Sequence, residues 1–163
     1  MQFRPATIND IIFLKELALS TWRQFEEPLG ADNWNTLCQG LNNVNYLALV
    51  EHAHGIVCID ENETIIGMAF LVPRGNPTDI FPADWCYVRM VTVNTNCNGM
   101  GIGRGLMSAC IGRAKTLGET VMGLHTSEIM SKARHIYESM GFKVVRELEK
   151  RFGKRCWLYR LDL

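Results

Sequence analysis

The chain has 163 residues, and its 17 Lys and Arg balance 17 Asp and Glu to a formal charge of zero, which argues against a polyanion-coating protein of the histone kind. A length of this order makes one domain, 1–163, able to bury roughly two thirds of its unfolded surface. With 47% apolar and 21% charged residues, the composition is that of a soluble globular protein and not of a disordered or membrane chain. The zero is nevertheless a sum. Residues 1–80 carry 4 basic and 10 acidic side chains, a net of −6, and residues 81–163 carry 13 basic and 7 acidic, a net of +6.

The six cysteines include no CxxC pair and no histidine at metal-ligand spacing, which points to free thiols in a reducing cytoplasm and to no metal. His52 and His54 read as neighbours on one strand face and lack a third ligand. No stretch approaches the ~20 apolar residues of a membrane span, and Met1-Gln2-Phe3-Arg4-Pro5 has no apolar signal segment behind it. The expectation is a cytoplasmic protein with no membrane or nucleic-acid partner.

In chain order, Thr7-Ile8-Asn9-Asp10 reads as a capping box in which Asp replaces Glu. Ile8, Ile11, Ile12, Leu14, Leu17, Ala18 and Trp22 then form a helical stripe that Pro28 ends. A second helix is expected from Ala31 or Asp32 to about Gly40. Short β-branched runs follow at 46–50, 55–60 and 64–72, with Asp60-Glu61-Asn62-Glu63 as a hairpin tip, and 85–93 is the next strand. A helix runs from 102 to Gly118, a strand covers 121–126, and a helix over 129–140 is closed by Gly141 in the position of a left-handed cap. Strands 142–148 and 155–161 finish the chain. The order fits α+β or α/β with a mixed sheet.

Between the strand 85–93 and its following helix lies Asn98-Gly99-Met100-Gly101-Ile102-Gly103-Arg104. A glycine turn opening a helix presents unpaired N–H groups and the positive end of the helix dipole, a site suited to phosphate, and Arg104 adds a full charge. The dinucleotide pattern GxGxxG fails in either register, because it requires Gly at 104 or 106, which are Arg and Leu. The ATP-type loop fails too, since no Lys stands between Arg89 and Lys115.

What the segment resembles is the acyl-CoA motif of the GNAT superfamily of N-acetyltransferases, Arg/Gln-x-x-Gly-x-Gly/Ala. A second piece, Ala133-Arg134-His135-Ile136-Tyr137-Glu138-Ser139-Met140-Gly141-Phe142, is similar to that family's Ala-x-x-x-Tyr-Glu-x-x-Gly-Phe helix ending. Two motifs about thirty residues apart, in the family's order, make a specific signal. The resemblance implies a twisted mixed sheet of about seven strands flanked by about four helices. In it the fourth and fifth strands splay apart around acetyl-CoA, and the acetyl group passes directly to an amine of a small molecule or peptide without a metal.

By the same resemblance the pantetheine arm pairs with Val91, Thr92 and Val93, the pyrophosphate sits on the N–H groups of Asn98, Gly99, Met100, Gly101, Ile102 and Gly103, and backbone near Met90 and Val91 meets the thioester oxygen. Tyr137 is the general acid, since a tyrosine near pKa 10 can donate a hydrogen bond or proton to a departing thiolate whose thiol has a pKa of about 8.5; its other reading is a member of an apolar stripe. Asn98 is shorter than the usual first residue. Met130 stands where many relatives carry Asn, leaving Thr126, Ser127 or Ser131 as substitutes. Tyr87 stands where many carry the basic Glu. His125 is then the candidate base, with a reference pKa near 6.5, although it reads equally well as a packed strand-end residue.

Trp22, Phe25 and Glu26, with Glu27, Trp34 and Trp85 near them, are candidates for the acceptor site, against readings as core and solvated helix end. The basic run around Lys150, Arg151, Lys154 and Arg155 reads as the solvated face of a hairpin. On charge alone, the +6 half would draw CoA and the −6 half a cationic amine. A non-catalytic acyl-CoA sensor of the same fold is the alternative, motivated by the missing Glu. Dimers are common among such proteins, and the sequence leaves the oligomeric state open.

Overall fold

In the computed structural model, which describes residues 1–163, the strands are β1 (Gln2–Pro5), β2 (His54–Ile59), β3 (Ile65–Val72), β4 (Cys86–Val93), β5 (Val121–Ser127), β6 (Lys143–Arg151) and β7 (Lys154–Asp162). They form one seven-stranded sheet in the order β1-β2-β3-β4-β5-β7-β6. Every neighbouring pair is antiparallel except β4 and β5. The helices are α1 (Ile11–Trp22), α2 (Glu26–Leu29), α3 (Ala31–Asn42), α4 (Tyr46–His52), α5 (Ile102–Thr116) and α6 (Ser131–Ser139).

All of β3 is buried, because it is apolar on both faces and helices cover both. Met68 and Phe70 pack with Leu14, Leu17 and Trp34 of α1 and α3 on one side. Ala69 and Leu71 pack with Leu106, Met107 and Cys110 of α5 on the other. The gap in the sheet follows from the strand pairing. β4 and β5 pair only at Cys86↔Met122 and Tyr87↔Gly123 and then part. A Cβ on Gly123 would lie 2.9 Å from the Phe81 ring and 3.0 Å from Trp85, so only glycine admits the packing at this closed end. Phe81 in turn stacks on Tyr87, with centroids 4.3 Å apart and planes 7° from parallel.

A bulge sets the course of β4. Its pairing with β3 passes from Phe70↔Arg89 to Met68↔Thr92, and Met90 takes a φ of 57°. A bulge inserts unpaired backbone and turns the strand, here at the point where β4 leaves β5.

Several expectations need correction. Residues 46–50 form α4, not a strand: Asn45 caps it by accepting the Ala48 N–H at 3.0 Å, and Tyr46 and Leu49 bury one helical face. The sheet keeps seven strands because β1 joins its edge, where the ring of Pro5 removes no needed donor. The first helix ends at Trp22 and a short 3-10 turn follows; Pro28 lies inside the first turn of α2, where no N–H is required. Its buried stripe is Leu14, Leu17, Ala18 and Thr21, while Ile8 and Ile12 are exposed. His52 ends α4 and His54 starts β2, so they share no strand face. Asp10 does close the capping box, accepting from the Thr7 N–H at 2.7 Å, and it also takes both guanidinium nitrogens of Arg4 at 2.8 Å. These contacts hold its carboxyl at about 2, with the Arg4 bond the largest cause.

Candidate active site

Where β4 and β5 separate, two cavities open side by side. One, about 350 Å³, lies between Met90, Val91 and the end of β5, under Leu37 and Leu41 of α3 and Phe152 at the tip of the β6–β7 hairpin. The other, about 240 Å³, runs between Val91, Thr92 and Val93 on one side and Ser131, Lys132 and Ala133 of α6 on the other. Trp22, Val91, Ile129, Met130 and Tyr137 line both, so the two spaces meet at Tyr137.

The second cavity leads to the glycine loop. Gly99 and Gly101 take φ of +83° and +77°, and a Cβ at either would meet nothing within 4 Å. The left-handed backbone requires glycine there, and the missing side chains leave the amides open to an approaching group. The N–H groups of Gly99, Gly101, Ile102, Gly103 and Arg104 have no backbone acceptor, whereas Gly105 N–H already reaches Gly101 O at 2.9 Å. This set of unspent donors at the positive end of a 15-residue helix fits a diphosphate. Arg104 donates to Ser139 Oγ at 2.8 Å, holding its guanidinium at the end of α6. The β5-facing edge of β4 has no strand partner beyond Tyr87, which fits an extended amide-bearing arm lying along Val91, Thr92 and Val93.

Tyr137 is 6% exposed, and its ring meets Phe142 edge-on at 6.0 Å. Its hydroxyl is not sealed off and the group lines both cavities. Burial, with a smaller contribution from Cys110, raises its pKa well above the ordinary value, so it stays protonated. α6 is fixed on β7 by Arg134 Nε donating to Tyr159 Oη at 3.2 Å and Tyr159 Oη donating to Glu138 Oε1 at 2.8 Å.

The other expected residues divide. Trp22 and Phe25 form an edge-on pair with centroids 5.4 Å apart; Trp22 borders both cavities and Phe25 only the loop-side one. Glu26 and Glu27 are exposed on α2 and line neither, and Trp34 and Trp85 belong to the core. Thr126 lies on the hairpin side, its hydroxyl directed to Met130 Sδ at 3.4 Å, so Ser131 and Lys132 are the polar residues of α6 facing the loop-side cavity. Tyr87 is buried against Phe81.

His125 lines the larger cavity, but burial first, and then the charges of Arg151 and Arg89, lower its pKa to about 4. So lowered, His125 is neutral at neutral pH and a weaker base than an ordinary imidazole. The residues not foreseen are Arg89, Arg151, Phe152 and Lys154. The Phe152-Gly153 tip, with φ of 52° and 71°, is a two-residue hairpin turn of the kind that needs positive φ twice. It places the flanking basic side chains at the cleft, while Arg155 and Glu147 behind it pair on the solvated face.

The sequence profile of the Acetyltransferase (GNAT) family matches residues 14–142. The chain belongs to the GNAT acetyltransferase family. Solved structures with the same fold include the PaiA N-acetyltransferase of Thermoplasma acidophilum in complex with coenzyme A, at TM-score 0.80 and 15% identity over 99% of this chain and 98% of that one. A GNAT acetyltransferase of Listeria monocytogenes superposes at 0.75 with 17% identity over 99% and 94%. The ribosomal-protein-alanine N-acetyltransferase of Brucella melitensis gives 0.69 and 22% over the full length of both. No curated relative matches the chain by sequence. The GNAT fold accounts for the parted strands, and no helix of the chain is long and apolar enough to cross a membrane.

Proposed function

We propose that this GNAT chain is an acetyl-CoA-dependent N-acetyltransferase that moves an acetyl group directly to a primary amine of a small molecule or peptide. The observation that carries the reading is the meeting of the two cavities at Tyr137 and Val91, one bordered by the open amide loop and the other free for an acceptor. Acetyl-CoA supplies the acetyl group as a thioester, whose C–S bond breaks as the amine lone pair forms the new C–N bond.

The chain's own residues do the rest. The amides of Gly99, Gly101, Ile102, Gly103 and Arg104 hold the diphosphate, with Lys132 facing the same space. The bulged backbone at Met90 and Val91, free of a β3 partner in the register, offers an N–H to the carbonyl oxygen as negative charge gathers there. Tyr137 gives its proton to the departing sulfur and regains one from solvent. Burial weakens it as an acid but keeps its O–H in place to donate to the sulfur as negative charge gathers there. The amine's proton leaves to water, because His125 is too weak a base to hold it.

The test is acetyl-CoA binding by thermal shift together with release of free CoA across a panel of amines. A ligand at 100 times its Kd stabilises by about 2.7 kcal/mol, so saturating acetyl-CoA should raise Tm clearly, and at least one amine should give turnover. No shift would refute the loop assignment; binding without turnover on any amine would favour the sensor.

A further inference from the structure

We infer that the acceptor is a small amine that also carries a negative charge, in the simplest case a carboxylate, which Arg89, Arg151 and Lys154 hold while the amine reaches Tyr137. This deepens the N-acetyltransferase reading and rests on it.

The charges lining the acceptor cavity are all cationic. Arg89 comes from β4, and Arg151 and Lys154 come from the two sides of the hairpin tip; no Asp or Glu lines the space. These three are also unpaired. The arginines that do form ion pairs, Arg4, Arg134, Arg155 and Arg160, meet Asp10, Glu138, Glu147 and Asp162 elsewhere. Arg151 has a single polar contact, from Nη1 to His125 Nε2 at 3.5 Å. Asp79, the one carboxylate whose field reaches His125, is exposed in the loop before β4 and outside the cavity. CoA phosphates do not explain these cations. The glycine loop, Arg104 and Lys132 lie on the α6 side, and none of Arg89, Arg151 and Lys154 borders the loop-side cavity; Arg89 also borders a separate space beside α4. This lining runs against the expectation of a cationic acceptor drawn by the −6 half, whose Glu26 and Glu27 face solvent.

The same field addresses the missing base. Cations near an ammonium favour its free-base form, so an amine held near Tyr137, in the same cavity as Arg89, Arg151 and Lys154 and with no carboxylate lining it, sheds its proton to water more readily before attack. A dication or a polyamine meets only repulsion there. Leu37, Leu41 and Phe152 leave an apolar wall for the body of the molecule, and about 350 Å³ limits it to a small one.

The experiment measures kcat/KM on the full chain for matched pairs: an amino acid and its carboxamide, 6-aminohexanoate and hexane-1,6-diamine, phosphoethanolamine and ethanolamine. The anionic member of the pairs should be favoured at least tenfold, and phosphate against carboxylate shows which anion fits better. Arg151→Gln and Arg89→Gln should each raise KM for the anionic acceptor about tenfold, leave KM for acetyl-CoA unchanged, and shrink the preference for the anionic over the neutral member of each pair; Arg151→Lys should recover part of the loss. Preference for the diamine or carboxamide, or an unmoved KM in both Gln variants, overturns the inference and leaves the acetyltransferase reading intact. Acetyl-CoA binding with no turnover on any amine removes both.

Discussion

Tyr137→Phe separates chemistry from packing. The hydroxyl holds no other part of the protein, so the variant deletes no native hydrogen bond, and the ring keeps its contact with Phe142. An unpartnered buried hydroxyl costs about 1–3 kcal/mol, an upper bound for a group that reaches a cavity, and about 1 kcal/mol moves Tm by roughly 2–4 °C in a chain of this size. Tm should therefore stay constant or rise by a few degrees. General acid catalysis contributes about 10²–10⁴ in rate, or about 3–5 kcal/mol at 1.36 kcal/mol per tenfold. The assay is free CoA release at saturating acetyl-CoA, with kcat, KM for acetyl-CoA and Tm read on one preparation. A kcat within twofold of the parent would refute the role, and a kcat loss accompanied by a fall in Tm would assign the residue to packing. Because burial raises the Tyr137 pKa, the parent should show no alkaline loss of the acid below pH 10, near the ordinary tyrosine value.

His125 makes stability depend on pH. Its pKa is lowered to about 4 in the fold from the ordinary 6.5, so the unfolded chain binds the extra proton between those values. Its stabilisation is complete above pH 6.5 and is lost as pH falls toward 4, to a limit of roughly 3 kcal/mol. Denaturant titrations of the parent and of His125→Asn at pH 7 and 4.5 should show the parent losing more, and equal losses would contradict the assignment. Gly101→Ala tests the loop. A left-handed φ of +77° with open space around it should cost about 1–2 kcal/mol in strain, without a clash, and should raise KM for acetyl-CoA more than it changes kcat. An unchanged KM would show that the loop does not carry the cofactor.

Much of this arrangement was readable because glycine and proline act locally. The loop at 99–103, the cap at Gly141 with φ +95° and the hairpin tip at Asp60, whose side chain accepts the Asn62 and Thr64 amides at 2.9 Å, all follow from residues close in sequence. Three kinds of feature were not. Tyr46 to Val50 is rich enough in apolar residues to read as a strand, and only the Asn45 cap and the burial of Tyr46 with Leu49 decide for helix. Phe3 joins the sheet through long-range pairing and a ring seated over Gly105, where a Cβ would collide with it. The cationic lining of the larger cavity depends on a hairpin folding back over Arg89, about sixty residues away in sequence, and alternating charges in a hairpin give no hint of which end is covered. The same distance hid the low basicity of His125, which arises from burial and from Arg151.

The pairing of β4 with β5 through two residue pairs at one end divides the sheet mechanically into a four-stranded leaf and a three-stranded leaf, joined like the jaws of a peg. Its spring is the stacked Phe81 and Tyr87, seated against Gly123. Each leaf keeps its own hydrogen bonds whatever the width of the mouth. A side chain added at Gly123 would press on Phe81 and Trp85 at this hinge, away from Val91 and Tyr137.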